Sequence, residues 1–335
     1  MSKMKKLEYQ LRFVTPAFLG DAEQSARWRT PPFKAQLRQW WRVAYAAQQS
    51  FKVDVAAMRH QEGLLFGHAW LEDDQNEQGN KVAARKSLVR IKLDGGGDSW
   101  SLGTQKGVQP LPNNLDTSYA WFGLIKRGKG LPDRTGIKAN QAESVRKLSL
   151  AVPDTEAKRL QEVISLIHSF GLLGSRSRGG WGALHVDDEN TLAVGKMQRY
   201  ARNIDDCLKE DWAMSLAKDT KGLCIWESSS TFDSWDKAMK FIAAERKKVR
   251  TALKQQKDLR PALGFASPGR MPSPLRWKVV APEQGRLRVR VFAMPHSIPA
   301  DGGKSLSQQN LHSAWHSVSR SLDSIQSLPR LEDKE

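Results

Sequence analysis

Cysteine is nearly absent from this sequence: two residues, Cys207 and Cys224, among 335. They do not make a short-spaced metal pair and no Cys/His cluster accompanies them. That argues against a zinc framework or a disulfide scaffold and for two free cytosolic thiols. Long apolar runs are missing as well. No stretch approaches the roughly 18 apolar residues of a membrane span, and the opening MSKMKKLEYQ lacks the apolar run of a signal peptide. A cytoplasmic protein with no membrane partner is expected. Hydrophobic residues reach only 39%, below the usual share of about 45–50%, yet 12 tryptophans and 11 phenylalanines give enough bulk for real cores. Negative charge is also short: 36 acidic residues face 53 lysines and arginines, a net +17. Such an excess favours polyanions, because bound phosphates release counterions.

The patterning divides the chain into two parts, 1–190 and 191–335. In the first, LEYQLRFV alternates Leu7, Tyr9, Leu11 and Phe13 against polar partners, which predicts a half-buried strand. TPPFKAQLRQWWRVAYAAQ predicts a helix with Thr30 as cap and Pro31 in its first turn. Phe33, Leu37, Trp40, Trp41 and Ala44 share its inner face, and Lys34, Arg38 and Arg42 recur every four residues beside it. ARKSLVRIKLD, SYAWFGLIKRG and VRKLSLAV read as strands, with loops at 71–80 and 94–118. A second helix follows Pro153, capped by Asp154, with Leu160, Val163, Ile164 and Ile167 inward. A glycine-rich stretch and a short strand, ALHV, complete the order of a ferredoxin-like β-α-β-β-α-β unit.

The second part is less regular. DSWDKAMKFIAAERKKVRTALKQQ predicts a long helix with a basic outer side, including Arg246 and Arg250. SPLRWKVVAP and GRLRVRVFA predict strands, and a last helix carries Leu311, Trp315, Val318 and Leu322. The fold class expected is α+β: two ferredoxin-like (RRM-like) domains with insertions, the second degenerate with added helices.

Two features carry candidate chemistry. In the predicted strands of the second part, apolar residues alternate with Arg276, Lys278, Arg286, Arg288 and Arg290. Side chains alternate faces along a strand, so one face is basic. It is either a platform for a nucleic-acid backbone or an ordinary solvated face. The second feature is GLLGSRSRGGWGAL, with five glycines and two arginines between Gly171 and Gly182. Its backbone amides could form an anion nest with charge-assisted help from Arg176 and Arg178, or the stretch could be only a sharp turn. Neither the Rossmann nor the P-loop pattern fits it. Trp181 could stack on a base or pack; Trp40 and Trp41 read as core.

No catalytic constellation stands out. The seven histidines, His60, His68, His168, His185, His296, His312 and His316, are scattered, and His168 near a helix end would offset the helix dipole as a cation. The acidic run EDDQNEQ lacks Ca²⁺-loop spacing and reads as a solvated loop. Neither a metal nor a cofactor is expected.

Three stretches together resemble the RAMP superfamily of CRISPR-associated RNA-binding proteins: FVTPAFLGDAEQ, RTPPFKAQLRQWWR and GLLGSRSRGGWGAL. LGFASPGRMPSPLRWKVV resembles the second domain of the branch that forms the first-numbered subunit of the Cmr (type III-B) effector complex. Residues 50–145 match only in outline. The resemblance implies a non-catalytic subunit that holds guide RNA, target RNA or both beside other RAMP subunits of an antiviral ribonucleoprotein. It places RNA contacts at Lys34, Arg38 and Arg42 and at Arg176 and Arg178 in the loop; on the nest reading Gly174, Gly179, Gly180 and Gly182 would join them. The alternatives are a metal-independent endoribonuclease of the same fold, processing guide RNA, and a structural adaptor.

Overall fold

The computed structural model describes residues 3–20, 22, 26–69, 74–76, 78–94, 118–121, 124, 136–139, 145–187, 189, 191–253, 257–267, 269–283, 285–298 and 304–332. The first strand, β1 (Met4–Phe13), follows its alternation: Leu7, Tyr9, Leu11 and Phe13 are buried while Lys6, Glu8 and Gln10 face solvent. Helix α1 (Thr30–Gln48) begins at its expected cap, one residue earlier than the sequence pattern predicts. Arg29 holds the extended cap position without a side-chain bond, and Thr30 is already helical. Pro31 fits the first turn, where its missing N–H has no intrahelical acceptor. After a turn comes α2 (Val55–Phe66), capped by Asp54, whose carboxylate accepts from the Ala56 and Ala57 amides at 2.9 and 3.1 Å. A small hairpin, β2 (His68–Ala69) with β3 (Ala84–Arg85), leads to β4 (Arg90–Asp94).

The stretch expected as a strand at SYAWFGLIKRG is helical where it is described, as α3 (Ser118–Trp121); the rest, apart from Leu124, lies outside the described residues. Strand β5 (Arg146–Pro153) buries Leu148, Leu150 and Val152. It runs into α4 (Asp154–Phe170), where Pro153 takes the cap position and Asp154 opens the first turn. After the glycine-rich loop, β6 (Leu184–Val186) closes the sheet. The strand order is β4-β5-β1-β6, antiparallel throughout, with Leu7 opposite Leu150 and Leu11 opposite Val186. This is the order of a β-α-β-β-α-β unit. Helices α1 and α4 pack on each other over the buried face.

The other face is a polar lattice. Lys147 and Lys6 hold Glu8 at 2.8 and 2.7 Å and pull its carboxyl down to about 2. Arg12 binds Asp187 at 2.7 Å. No Phe, Tyr or Trp stands on this face among the described residues, so it lacks the rings on which RRM sheets stack bases.

The second half starts with α5 (Val194–Gln198), β7 (Ala201–Asn203), α6 (Ile204–Cys207), β8 (Leu216–Asp219) and β9 (Gly222–Leu223), in which the three strands form one small sheet. A second sheet combines β10 (Ile225–Glu227), β11 (Leu275–Glu283) and β12 (Arg286–Ala293) in the antiparallel order β10-β12-β11. Helices α7 (Trp235–Ala252) and α8 (Gln308–Asp323) pack together, as their apolar stripes require. These strands do not by themselves spell a second β-α-β-β-α-β order. One continuous apolar core runs through both halves. No helix among the described residues is long and apolar enough to cross a membrane.

Candidate nucleic-acid interface

Helix α1 rises about 6 Å every four residues, so Lys34, Arg38 and Arg42 form a row along one side of it. The row borders a groove of about 640 Å³ between α1, α2 and the β2–β3 hairpin. Glu62 of α2, only 4% exposed, reaches back to the row. It accepts from Arg38 Nε at 2.5 Å and from Arg42 Nε and Nη2 at 2.7 and 2.8 Å. One carboxylate thus neutralises one of two guanidiniums, and both arginine side chains remain 39% exposed. Lys34 is held below its usual value by partial burial and by Arg38. Arg59 on the exposed side of α2 and Arg85 of β3 also line the groove.

Arg85 is balanced by Asp74, which it binds through Nε at 2.5 Å and Nη2 at 2.9 Å; His68 Nε2 lies 2.6 Å from the same carboxylate. Asp74 is buried, and Arg85 first and then His68 draw its pKa down to about 2. The acidic run read as a solvated loop therefore contains one buried structural carboxylate. Val55, Met58, Phe66 and Trp212 give the groove an apolar side. Sequence reading found the α1 row but missed Arg59, Glu62, Arg85 and Trp212. The sequence reading did not find α2, for which Asp54 as a cap is the available signal, and nothing local ties Glu62 to arginines 20 and 24 residues away.

The glycine-rich loop is built differently from a phosphate nest. Its amides serve the chain itself: Ser175 donates to Phe18 O at 3.0 Å, Gly179 to Arg176 O at 2.9 Å, Gly180 to Ser177 O at 3.0 Å and Gly182 to Pro16 O at 2.9 Å. Those N–H groups are not available to an anion. The glycines answer to close packing. At Gly180, φ +104°, a Cβ would press on the side-chain ends of Ile242 and Met239 of α7, and at Gly182, φ +61°, a Cβ would collide with the Leu173 carbonyl. Trp181 is fully buried and donates Nε1–H to Ala120 O at 2.9 Å, so it packs. Gly179 forms a parallel bridge with Trp277 of β11, whose amide donates to Arg178 O at 3.1 Å.

What the loop does present is guanidinium. Arg176 is exposed at φ +57° beside the exposed Gly174. Arg178 is half-buried and donates to Ser273 O at 2.8 Å; burial, with Arg270 adding, lowers it to about 10. Arg246 of α7 lies over the Tyr119 ring at 5.4 Å, held low by burial, with the Tyr119 hydroxyl opposing and Arg250 and Arg176 reinforcing.

The basic face of the second sheet is not an open platform. Arg276, Lys278 and Arg290 are buried against the first half. Lys278, 1% exposed, donates its ammonium to the carbonyls of Ile167 (3.2 Å), His168 (2.5 Å) and Leu184 (2.7 Å). It caps the C-terminus of α4, where cations are favoured. Burial, and then Arg290, lower its proton affinity, yet all three N–H groups find acceptors. Arg290 forms a two-pronged pair with Glu227 at 2.6 and 2.9 Å. The Gln39 amide faces the Arg276 guanidinium, and with its oxygen and nitrogen exchanged its oxygen accepts from both η nitrogens. Arg288 is half-buried, 3.5 Å from Glu227, and Arg286 alone of the five is exposed. The alternation was real, but both faces of this sheet are covered.

The helix-end role expected of His168 belongs to Lys278. His168 is buried, its Nδ1 2.9 Å from Val186 O and 3.3 Å from the Val186 amide, and burial lowers its pKa to about 3, with Lys278 and His185 adding. His185, 4.7 Å away ring to ring, is lowered to about 3 by burial, Arg12 and Lys278. His296 is also held low by burial, and His312 lies 2.8 Å from Asp205. Among the described residues no group of three or more His, Cys, Asp or Glu could hold a metal. Both cysteines are buried free thiols.

A four-stranded β4-β5-β1-β6 sheet under two helices, a tightly packed glycine-rich loop and a second antiparallel sheet define an α+β protein. The fold is similar, along nearly its whole length, to that of Cmr1 from Pyrococcus furiosus in its apo crystal form. The TM-score is 0.51 at 18% identity, covering 95% of this chain and 96% of that one. It is also similar to a chain of the type III-B Cmr-beta assembly bound to cognate target RNA and AMPPnP in the presence of ssDNA (TM-score 0.52, 11% identity, 95% and 99% covered). A chain of the same assembly bound to cognate target RNA gives 0.51 at 10% identity, covering 94% and 99%. At these identities the likeness is one of fold. No family model matches the sequence, and neither does any curated protein.

Proposed function

We propose that this chain is a non-catalytic RNA-binding subunit of a type III-B CRISPR ribonucleoprotein, holding guide or target RNA beside other RAMP subunits in the cytoplasm. The observation that carries the reading is the cationic groove on α1, where Lys34, Arg38, Arg42 and Arg59 outnumber the single carboxylate Glu62. The whole-length fold likeness to Cmr1 and to Cmr-beta chains supports it. Arg176 and Arg178, with Arg246 and Arg250 across the loop, form a second cationic region for the same backbone.

The test is RNA binding by the full chain across a salt series. Log affinity against log salt is expected to fall steeply and to flatten by about one counterion per removed contact in Lys34→Ala and Arg176→Ala. A chain that binds no RNA at low salt would end the reading. A second reading, metal-independent RNA cleavage, has one observation in its favour: His68, paired with Asp74, lines the groove. Incubation with labelled RNA in chelator separates the two. No cleavage is expected, and cleavage lost in His68→Ala would make the chain a nuclease.

A further inference from the structure

Positive charge goes unanswered where the glycine-rich loop meets the second half. Arg246 and Arg250, four residues apart, share one face of α7. With Tyr119 of α3, Ser273, and Leu275 and Trp277 of β11 they line a small cleft. Arg178 reaches the same wall from the loop through its bond to Ser273 O at 2.8 Å. None of Arg178, Arg246 and Arg250 forms an ion pair with a carboxylate among the described residues. Arg250 and Arg176 instead stand close enough to repel Arg246, and Arg270 to repel Arg178. Like charges four apart on a helix destabilise it. The half-buried Arg246 guanidinium makes no hydrogen bond to the described residues and rests on the Tyr119 ring at 5.4 Å. Gly179 belongs to the same arrangement: a Cβ there would strike Arg246 Nη1, so the glycine leaves the place that the guanidinium takes.

The cleft opens about 20 Å³ to the centres of water-sized atoms. That exceeds the roughly 10–15 Å³ one water needs and is far below the roughly 300 Å³ at which small-molecule sites begin. A nucleobase has no room here, whereas one tetrahedral oxyanion, its oxygens set close around a single centre, does. The floor is apolar, Leu275 with Trp277, so the charge of an ion is met by the guanidiniums. Their planar forks match the paired oxygens of phosphate or sulfate; chloride offers no such pair.

We infer that this cleft is a site for one inorganic oxyanion of the phosphate or sulfate class, held between Arg246 and Arg250, with Arg178 adding its charge from behind Ser273. The ion is a structural counter-charge. It relieves the repulsion along α7 and stabilises the contact of the loop with α7 and β11. The assignment does not rest on RNA binding. A phosphate of a bound RNA has the same chemistry, and the test separates the two sources.

The full chain, dialysed free of both ions, is melted in sodium sulfate or sodium phosphate against sodium chloride of equal ionic strength. Sulfate and phosphate are each expected to raise the melting temperature saturably, by about 2 °C at ten times the dissociation constant. Titration calorimetry with inorganic phosphate is expected to give one site per chain. Arg250→Gln changes an exposed side chain. Gly179→Ala keeps every charge, meets no left-handed φ and displaces the Arg246 guanidinium. Each is expected to lose the sulfate-specific shift, whereas Lys34→Ala, a cation on α1, is expected to keep it. Chloride as effective as sulfate, or a full shift in folded Arg250→Gln and Gly179→Ala, would overturn the site. For a free ion, saturating phosphate at fixed ionic strength is expected to leave the affinity for unpaired RNA unchanged. RNA displaced by phosphate from the wild type but not from Arg250→Gln would overturn the free-ion assignment and give the cleft to an RNA phosphate.

Discussion

Acid should loosen this protein well before its carboxylates titrate, because His168 and His185 are folded in neutral. In the unfolded chain a histidine titrates near about 6.5; in the fold both are lowered to about 3. Between those values the unfolded chain binds the extra proton, so stability is complete above about 6.5 and is lost as pH falls toward about 3. The slope is about 1.4 kcal/mol per pH unit for each histidine, so the fall from pH 6.5 to 5 removes about 2 kcal/mol per site, or about 4 kcal/mol for the pair. The surroundings offer a proton little relief: Lys278, Arg290 and Arg12 stand near, against one carboxylate, Asp187, 3.5 Å from His185. Glu8 and Asp74, both drawn down to about 2, titrate in the unfolded chain only below about pH 5. Urea unfolding at pH 7.5, 6.5, 5.5 and 5.0 therefore isolates the histidines. His168→Gln is expected to lose a third to a half of the wild-type pH slope, whatever its own stability, with His185 and the likewise lowered His296 supplying the rest. Equal slopes in the two proteins would refute the claim that His168 is buried neutral.

Three further outcomes follow from the packing. Lys278→Met takes the ammonium from the carbonyls of His168 and Leu184, each costing about 1–3 kcal/mol, while Ile167 O keeps the Gly171 amide at 2.6 Å; the desolvation of the ammonium no longer required partly offsets this, and a drop in melting temperature of several degrees is expected by calorimetry. Gly182→Ala forces a Cβ onto the Leu173 carbonyl and is expected to yield insoluble or strongly destabilised protein, whereas Gly79→Ala, with nothing within 4 Å of its Cβ, is expected to remain folded despite its positive φ. Arg176→Ala combined with Arg246→Ala is expected to flatten the salt dependence of RNA binding by about two counterions; an unchanged slope would remove the loop region from the RNA path.

The legible parts were those decided locally. The alternation of β1 and β5, the apolar stripes of α1 and α4, and the β-α-β-β-α-β order all follow from side-chain periodicity. The burial of Trp40 and Trp41 followed as well. What escaped the sequence was decided at long range. Alternating cations at Arg276, Lys278 and Arg290 are the same pattern whether a sheet face meets water or the carbonyl end of a helix 110 residues away. The glycine-rich loop carried its arginines as read, but composition could not say that its amides were already committed to Pro16, Phe18 and the loop itself. Nor could spacing show that Glu62 would meet the α1 row, because that contact depends on how α2 folds back.

The bridge between Gly179 and Trp277 bears on the order of events during synthesis. The loop ahead of β6 is pinned by a strand that emerges from the ribosome about a hundred residues later, and the end of α4 waits on Lys278 in that same strand. The first sheet can pair β1 with β5 as soon as both are made, but its last edge cannot settle until β11 and β12 are available. Contacts so distant in sequence make for slow closure. A nascent chain stalled near residue 200 therefore exposes an unfinished sheet edge and an uncapped helix end, the kind of surface that chaperones engage.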